Sequence, residues 1–186
     1  TLLELGFNNK LKAFYNSNKD NPESIFNRKQ QHNKALLTLP FLDDFSQEHI
    51  YPDQNLWMDF NVHVNCGFAD EPKSYGVVTF DGLDSIGNPY DFSSSTSYGP
   101  ADTLTSHPIN TTAPVDSLYL SFYYQPQGNG NKPETKDSLR LEFFRLSDSS
   151  WVRMWGVEGS ANQPFQQVMI PVDTSFQNNA FQFRFI

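Results

Sequence analysis

Hydrophobic and polar residues alternate over several short stretches of this chain, which is the pattern of β-strands. The clearest stretch is 116–124, where the leucine and aromatic side chains at even-numbered positions share one face. Tyr119, Ser121 and Tyr123 share the other face, because successive side chains of a strand point to opposite sides. Since both faces carry large side chains, we predict that this strand lies inside a sheet rather than at its edge.

A second alternating stretch covers residues 138–146, with Leu139, Leu141 and Phe143 on the predicted inner face and Arg140 on the outer face. Turn-forming residues separate the stretches, and no helical segments alternate with them. Roughly eight or nine strands in this arrangement predict an all-β protein, an antiparallel sandwich of the jelly-roll type. The other predicted strands cover 55–60, 61–68, 75–82, 103–109 (ended by Pro108), 151–157, 165–172 and 181–186, and residues 39–46 are predicted as a short first strand or a lead-in.

The first 38 residues differ from the rest because they are rich in Asn, Lys and Gln. Asn21 and Pro22 form a helix-start signal, and a weak helical period then predicts a helix over 22–37. We therefore divide the chain into a partly helical extension, 1–38, and a jelly-roll sandwich, 39–186. The last predicted strand ends on apolar Ile186, so we expect the parent chain to continue beyond it.

Composition and charge exclude several function classes. The 186 residues carry a formal net charge of -8 and no basic patch, which argues against nucleic acid as a partner. No run of 18 apolar residues is present, so no membrane-spanning helix is predicted. The single cysteine, Cys66, excludes an internal disulfide and a site built from several thiolates, and we expect it to be a buried thiol.

The sequence shows no constellation that would predict catalysis. Its four histidines, His32, His49, His63 and His107, lie in polar, irregular contexts without the spacing of a nucleophile elbow or a zinc-binding helix. We assign no catalytic residue, no cofactor and no metal ligand, and we predict that the protein is not an enzyme.

Acidic residues that follow the predicted strands leave one alternative open. Asp43, Asp44 and Asp81 lie at strand ends, where clustered carboxylates can bind Ca²⁺. Aspartate is also common in turns, because its side chain accepts hydrogen bonds from nearby backbone N–H groups. We expect these three residues to be turn and surface residues.

Exposed aromatic side chains are the second alternative, because they can stack on sugar rings. Most aromatic residues of a β-sandwich belong to its core, so for each candidate the core position is the favoured interpretation. The candidates are Trp57, Trp151, Trp155, Tyr123 and Tyr124.

Several short motifs, in order from about residue 40 to 186, resemble the MAM domain pattern. They comprise an acidic first strand at 41–46, Trp57, a Gly-led strand at 76–84, the segment 101–109 and the aromatic strand at 120–128. MAM domains are jelly-roll adhesion and interaction modules without catalysis. The disulfide-forming cysteines of that family have no counterpart here, since Cys66 is the only cysteine.

The same chain resembles the amino-terminal region of cell-envelope proteins from gliding and type 9 secreting Bacteroidota. The motifs that carry this resemblance are 40–46, 79–84, 99–106 and 137–143. It implies a non-enzymatic subunit of a protein-export complex in the periplasm, associated with the outer membrane, whose partner is the translocon barrel or another envelope protein. We expect contacts through 1–38 and the loop at 84–102. The alternative is a cell-surface adhesin or carbohydrate-binding module.

Overall fold

The computed structural model describes residues 36–47, 50–84, 87–90, 99–112 and 117–186. These residues form ten β-strands and contain no α-helix. The strands are β1 Leu37–Thr38, β2 His63–Asn65, β3 Val77–Thr79, β4 Leu104–Thr105, β5 Ile109–Asn110, β6 Tyr119–Tyr124, β7 Ser138–Arg145, β8 Ser150–Glu158, β9 Gln166–Pro171 and β10 Phe183–Phe185.

The first layer of the fold is a four-stranded antiparallel sheet in the order β4-β10-β7-β8. Its longest pair, β7 and β8, contains a bulge, because Leu141 pairs with Trp155 while Glu142 pairs with Arg153. Met154 is the extra residue between these pairs, and it packs against the core. The bulge therefore keeps apolar side chains on the inner face on both sides of the irregularity.

The second layer consists of two antiparallel pairs, β2-β3 and β6-β9. β6 packs across the four-stranded sheet, since the ring of Phe122 lies 4.8 Å from that of Phe185 and 5.2 Å from that of Trp155. Face-to-face packing of antiparallel sheets is the architecture of a β-sandwich. The predicted all-β class and antiparallel sandwich are thereby confirmed.

The centre of the core is formed by β7 and β10, because both are interior strands of the four-stranded sheet. Leu141 and Phe143 are completely buried, as their alternation predicts, and Arg140 lies on the other face. Burial of side chains of this size contributes about 1.5–3 kcal/mol each. The other buried hydrophobic residues are Trp57, Val62, Val64, Leu104, Ile109, Val172, Phe176, Phe181, Phe183 and Phe185.

The start of the sandwich follows the lead-in alternative for residues 39–46 but differs from the predicted helix at Leu37. Residues 39–46 form no strand; instead β1 lies just before them and pairs in parallel with β5. Leu37, the last residue of the predicted helix 22–37, begins β1, and its N–H donates to the carbonyl of Pro108 at 2.9 Å. Leu36 is described and is not helical, and residues 22–35 of the predicted helix lie outside the described residues.

Two further expectations were wrong in detail. The single strand predicted over 103–109 is divided into β4 and β5, because Pro108 lacks the N–H group that a continuous ladder needs. β6, predicted as an interior strand, pairs only with β9 within the part of the chain that the structure describes.

Candidate functional site

A large open cleft lies between the two layers of the sandwich and has a volume of about 2180 Å³. We call it the inter-sheet cleft. Its walls include the inner faces of β3 and β6 from one layer and of β10 from the other. A closed sandwich would fill this volume with interdigitating side chains.

The walls of the inter-sheet cleft are apolar and only partly covered. In β6 the even-numbered side chains point inward and are half-buried, although the same positions in a closed core would be fully buried. Continuous apolar surface of this kind is rare on a folded protein unless it binds something. The half-buried apolar side chains of the cleft that pack against the core are Leu39, Phe41, Phe45, Val78, Phe80, Leu118, Leu120, Phe122 and Leu139.

One edge of β6 borders the cleft and pairs with no other strand that the structure describes. The N–H of Val172 donates to the carbonyl of Leu118 at 2.8 Å, so even-numbered residues of β6 direct their backbone groups toward β9. The N–H and C=O groups of Tyr119, Ser121 and Tyr123 therefore point away from β9. No other described strand pairs with them. We call these groups the free β6 edge.

β3 has a similar edge on the same cleft. In β2, the N–H of Val64 donates to the carbonyl of Ile50 at 2.6 Å and so points away from β3. Val64 pairs with Val78, and in an antiparallel ladder both members of such a pair direct their backbone groups outward. The N–H and C=O of Val78 form what we call the free β3 edge, which has no partner strand among the described residues.

Loops connect the two pairs of the second layer at one end. The carbonyl of Phe68, after β2, accepts the N–H of Asn129, after β6, at 2.6 Å. The side chain of Gln125 accepts the N–H of Asp70 at 2.9 Å and donates to its carbonyl at 3.0 Å. The layer is therefore closed by loop contacts beyond β6, while both free edges line the cleft.

Gly128 allows this loop contact. Its φ is +66°, a conformation that glycine adopts without strain, and a Cβ atom there would collide with the carbonyl oxygen of Phe68. The glycine-rich turn after β6 therefore has a structural reason for its composition.

A buried carboxyl group lies on the rim of the cleft. Asp102 accepts hydrogen bonds from the N–H of Gly82 at 2.8 Å and from the hydroxyl of Tyr90 at 2.9 Å. Burial raises the pKa of Asp102 from 3.8 to about 6, against the opposing effect of these two donors. Nearby, the ring of His63 lies 3.7 Å from a carboxylate oxygen of Asp81, and burial lowers the pKa of His63.

The three acids considered for Ca²⁺ are used locally. Asp43 accepts the indole N–H of Trp57 at 2.7 Å, and burial raises its pKa. Asp44 accepts the N–H and the hydroxyl of Ser46. Asp81 accepts the N–H of Leu83 at 3.0 Å. Across the described ranges, the structure contains no group of three His, Cys, Asp or Glu side chains placed to hold a metal ion.

The aromatic candidates separate into core and surface residues. Trp57 is buried, and Trp155 packs edge-on against both Phe122 and Tyr124. Trp151 lies under the guanidinium of Arg184, 4.3 Å from its Cζ atom to the ring centre. These contacts fit the core or packing interpretation rather than a sugar platform.

Tyr123 is the exception, because half of its surface is exposed. Its neighbours on the outer face of the β6-β9 pair, Tyr119 and Met169, are also exposed. Tyr123 was a sugar-stacking candidate from the sequence, but its grouping with Tyr119 and Met169 was not predicted.

Two other expectations concern single residues. Cys66, expected to be buried, is exposed because it lies in the bend directly after β2 rather than within the strand. Nε2 of His107 lies 2.9 Å from the carbonyl oxygen of Gln54, so this buried histidine holds a loop. His32 and His49 lie outside the described residues.

Comparison with known proteins adds no assignment: no protein-family model and no curated protein matches this chain. The described part of the chain contains no helix long and apolar enough to cross a membrane.

Proposed function

We propose that this protein is a non-enzymatic interaction subunit that binds another protein. The observation that carries the proposal is the inter-sheet cleft, an apolar opening bordered by two strand edges that pair with no strand among the described residues. Its volume of about 2180 Å³ exceeds the roughly 300–1,000 Å³ of typical small-molecule sites. A row of backbone N–H and C=O groups also forms hydrogen bonds with an extended polypeptide rather than with a metabolite.

The type of complex is proposed from the resemblance to envelope proteins of type 9 secreting Bacteroidota. Within that group, the specific candidate that we propose is the plug-like component that docks to the periplasmic side of the outer-membrane translocon barrel. We therefore propose a periplasmic location at the outer membrane, with the barrel or another envelope protein as partner. The net charge of -8 agrees with a partner other than nucleic acid or an anionic membrane surface.

Co-purification from native envelopes tests this proposal. Full-length tagged protein, cross-linked in the cells of a type 9 secreting bacterium, is expected to recover the translocon barrel. A variant lacking residues 1–35 keeps β1 and should recover much less of it, because Leu2, Leu3, Leu5 and Phe7 would no longer bury apolar surface on the partner. Recovery of no envelope protein by the full chain would contradict the proposal.

A carbohydrate-binding module is the second candidate function. Tyr119 and Tyr123 present exposed rings on one face of β6, and Met169 lies between them on β9. If this face binds glycans, Tyr123→Ala should reduce retention on a glycan array, while Tyr75→Ala, at another exposed tyrosine, should not. If both variants were retained equally, this face would not be a glycan site, and protein binding would remain the only candidate function of the two.

A further inference from the structure

We propose that the inter-sheet cleft accepts one extended polypeptide strand, donated from outside residues 1–186, which inserts between β3 and β6. The inference rests on the proposed function, since it names the part of a partner that the cleft binds. The donated strand carries apolar side chains at every second position, directed into the core, and polar side chains between them.

The backbone geometry specifies a strand. The free β6 edge offers three residues at alternate positions, Tyr119, Ser121 and Tyr123, and the free β3 edge offers Val78. An inserted strand can bond to both edges at once, as an interior strand of an antiparallel or mixed sheet does. A strand bound at one edge only would leave the other without backbone partners.

The sequence of β6 independently indicates an interior position. Edge strands are usually protected by lysine, proline or a bulge, and β6 contains none of these, whereas its neighbour β9 ends in Pro171. Large side chains on both faces of β6 predict the same. The structure agrees with that prediction on the β9 side, whereas on the cleft side no described strand pairs with β6.

The core below the cleft requires the donated strand to carry apolar residues at alternate positions. Leu120 and Phe122 from β6 and Val78 from β3 reach the core but stay half-buried. A strand between them would place every second side chain over Phe183 and Phe185, which line the cleft floor. A second copy of this chain is a poor donor, because its described strands are already paired within their own sheets.

A fused strand provides the test. Ile186 lines the cleft, so a segment of about nine residues, long enough to span β6 at about 3.3 Å per residue, can be attached after it through a glycine–serine linker. One fusion alternates Val, Phe or Leu with Thr; the control has the same composition with its apolar residues in one block. Tethering gives an effective concentration of about millimolar, so weak binding is detected.

We expect the alternating fusion to melt at least about 4 °C above the block fusion, because a ligand bound only by the folded state stabilises it. Ser121→Pro, which removes an N–H of the free β6 edge, should abolish that difference. Met169→Pro is the matched control: it lies directly opposite on β9, and its N–H points away from the cleft. It should preserve the difference between the two fusions.

Equal melting of the two fusions would overturn the inference, and so would a difference that survives Ser121→Pro. Failure here is distinguishable from failure of the proposed function, because the fusion experiment needs no native partner. A stabilising fusion together with no recovered envelope protein would retain the strand site and reject the export complex.

Discussion

At the scale of single residues, one tryptophan connects the lead-in to the core. Trp57 contacts Phe41 and Phe183 edge-on, with ring centres 5.3 and 5.6 Å apart, and donates its indole N–H to Asp43. The aspartate in turn accepts the N–H of Phe45 at 2.8 Å. The acidic segment after β1 is thereby held against the sandwich by a side-chain hydrogen bond rather than by strand pairing.

Trp57→Phe should therefore destabilise the protein although it conserves an aromatic ring. The change leaves the partly buried carboxylate of Asp43 without its indole donor, and loss of a hydrogen bond to a charged group costs about 1.5–3 kcal/mol. Chemical denaturation measures the effect. Trp151→Phe, at a surface ring, is the control and should cost less; equal losses would show that the Asp43 bond contributes nothing.

Asp102 predicts an unusual pH dependence. Its pKa of about 6 in the folded state exceeds 3.8, so the folded protein binds this proton more tightly than the unfolded chain does. The contribution of Asp102 to the free energy of unfolding is therefore largest below about pH 4 and falls as the pH rises toward 6. The change amounts to about 1–2 kcal/mol.

Asp102→Asn removes this titration; its Oδ1 can still accept the N–H of Gly82, and its Nδ2 can donate to the hydroxyl oxygen of Tyr90. The stability gained by wild type between pH 7 and pH 4.5 should exceed that of Asp102→Asn by about 1–2 kcal/mol. Asp44→Asn is a control of opposite sign: hydrogen bonds from Ser46 lower the pKa of this exposed residue, so its stabilising effect is lost as the pH falls. Identical pH profiles for wild type and Asp102→Asn would refute the assignment.

At the scale of elements, alternation predicted most strands but not their neighbours. The inner and outer faces of β6 and β7 follow directly from the period of two, because it depends on local backbone geometry. Which edge is paired depends on contacts between residues far apart in the chain. The free β3 edge at Val78 therefore had no local signal, whereas the absence of lysine and proline from β6 was visible in the sequence.

The lead-in was left open by the sequence. An apolar stretch near residue 40 predicted a short strand or a lead-in, and its side chains reach the core from irregular backbone. Exposure of Cys66 was missed, since β2 ends at Asn65 whereas the predicted strand runs to residue 68. Ends of elements are set by tertiary contacts and are the least predictable part of a pattern.

Gly76 tests how β3 is positioned. A Cβ atom at this residue would collide with the carbonyl oxygen of Phe45, which lies beside the start of β3. Gly76→Ala should therefore displace one segment from the other and cost about 2 kcal/mol or more in unfolding free energy. Gly67→Ala is the matched control, because a Cβ there meets nothing within 4 Å. If both variants had wild-type stability, this close packing would be contradicted.

At the scale of the whole molecule, the protein is a β-sandwich with one layer fully paired and the other divided. The four-stranded layer has its core positions filled, whereas the β2-β3 and β6-β9 pairs leave the inter-sheet cleft between their free edges. If the cleft binds the strand that we propose, that strand would bond the main-chain N–H and C=O groups of the two edges and fill alternate side-chain positions. Binding of the partner would then also complete the core.

Residue-resolved amide hydrogen exchange on the isolated chain tests this account most directly. The N–H groups of Leu120 and Phe122 point toward β9, and those of Tyr119, Ser121 and Tyr123 form the free β6 edge. We predict that the three edge amides exchange at least about tenfold faster than the two paired amides, because no described strand covers them. Uniform protection along β6 would show that the edge is already paired and would contradict the open cleft.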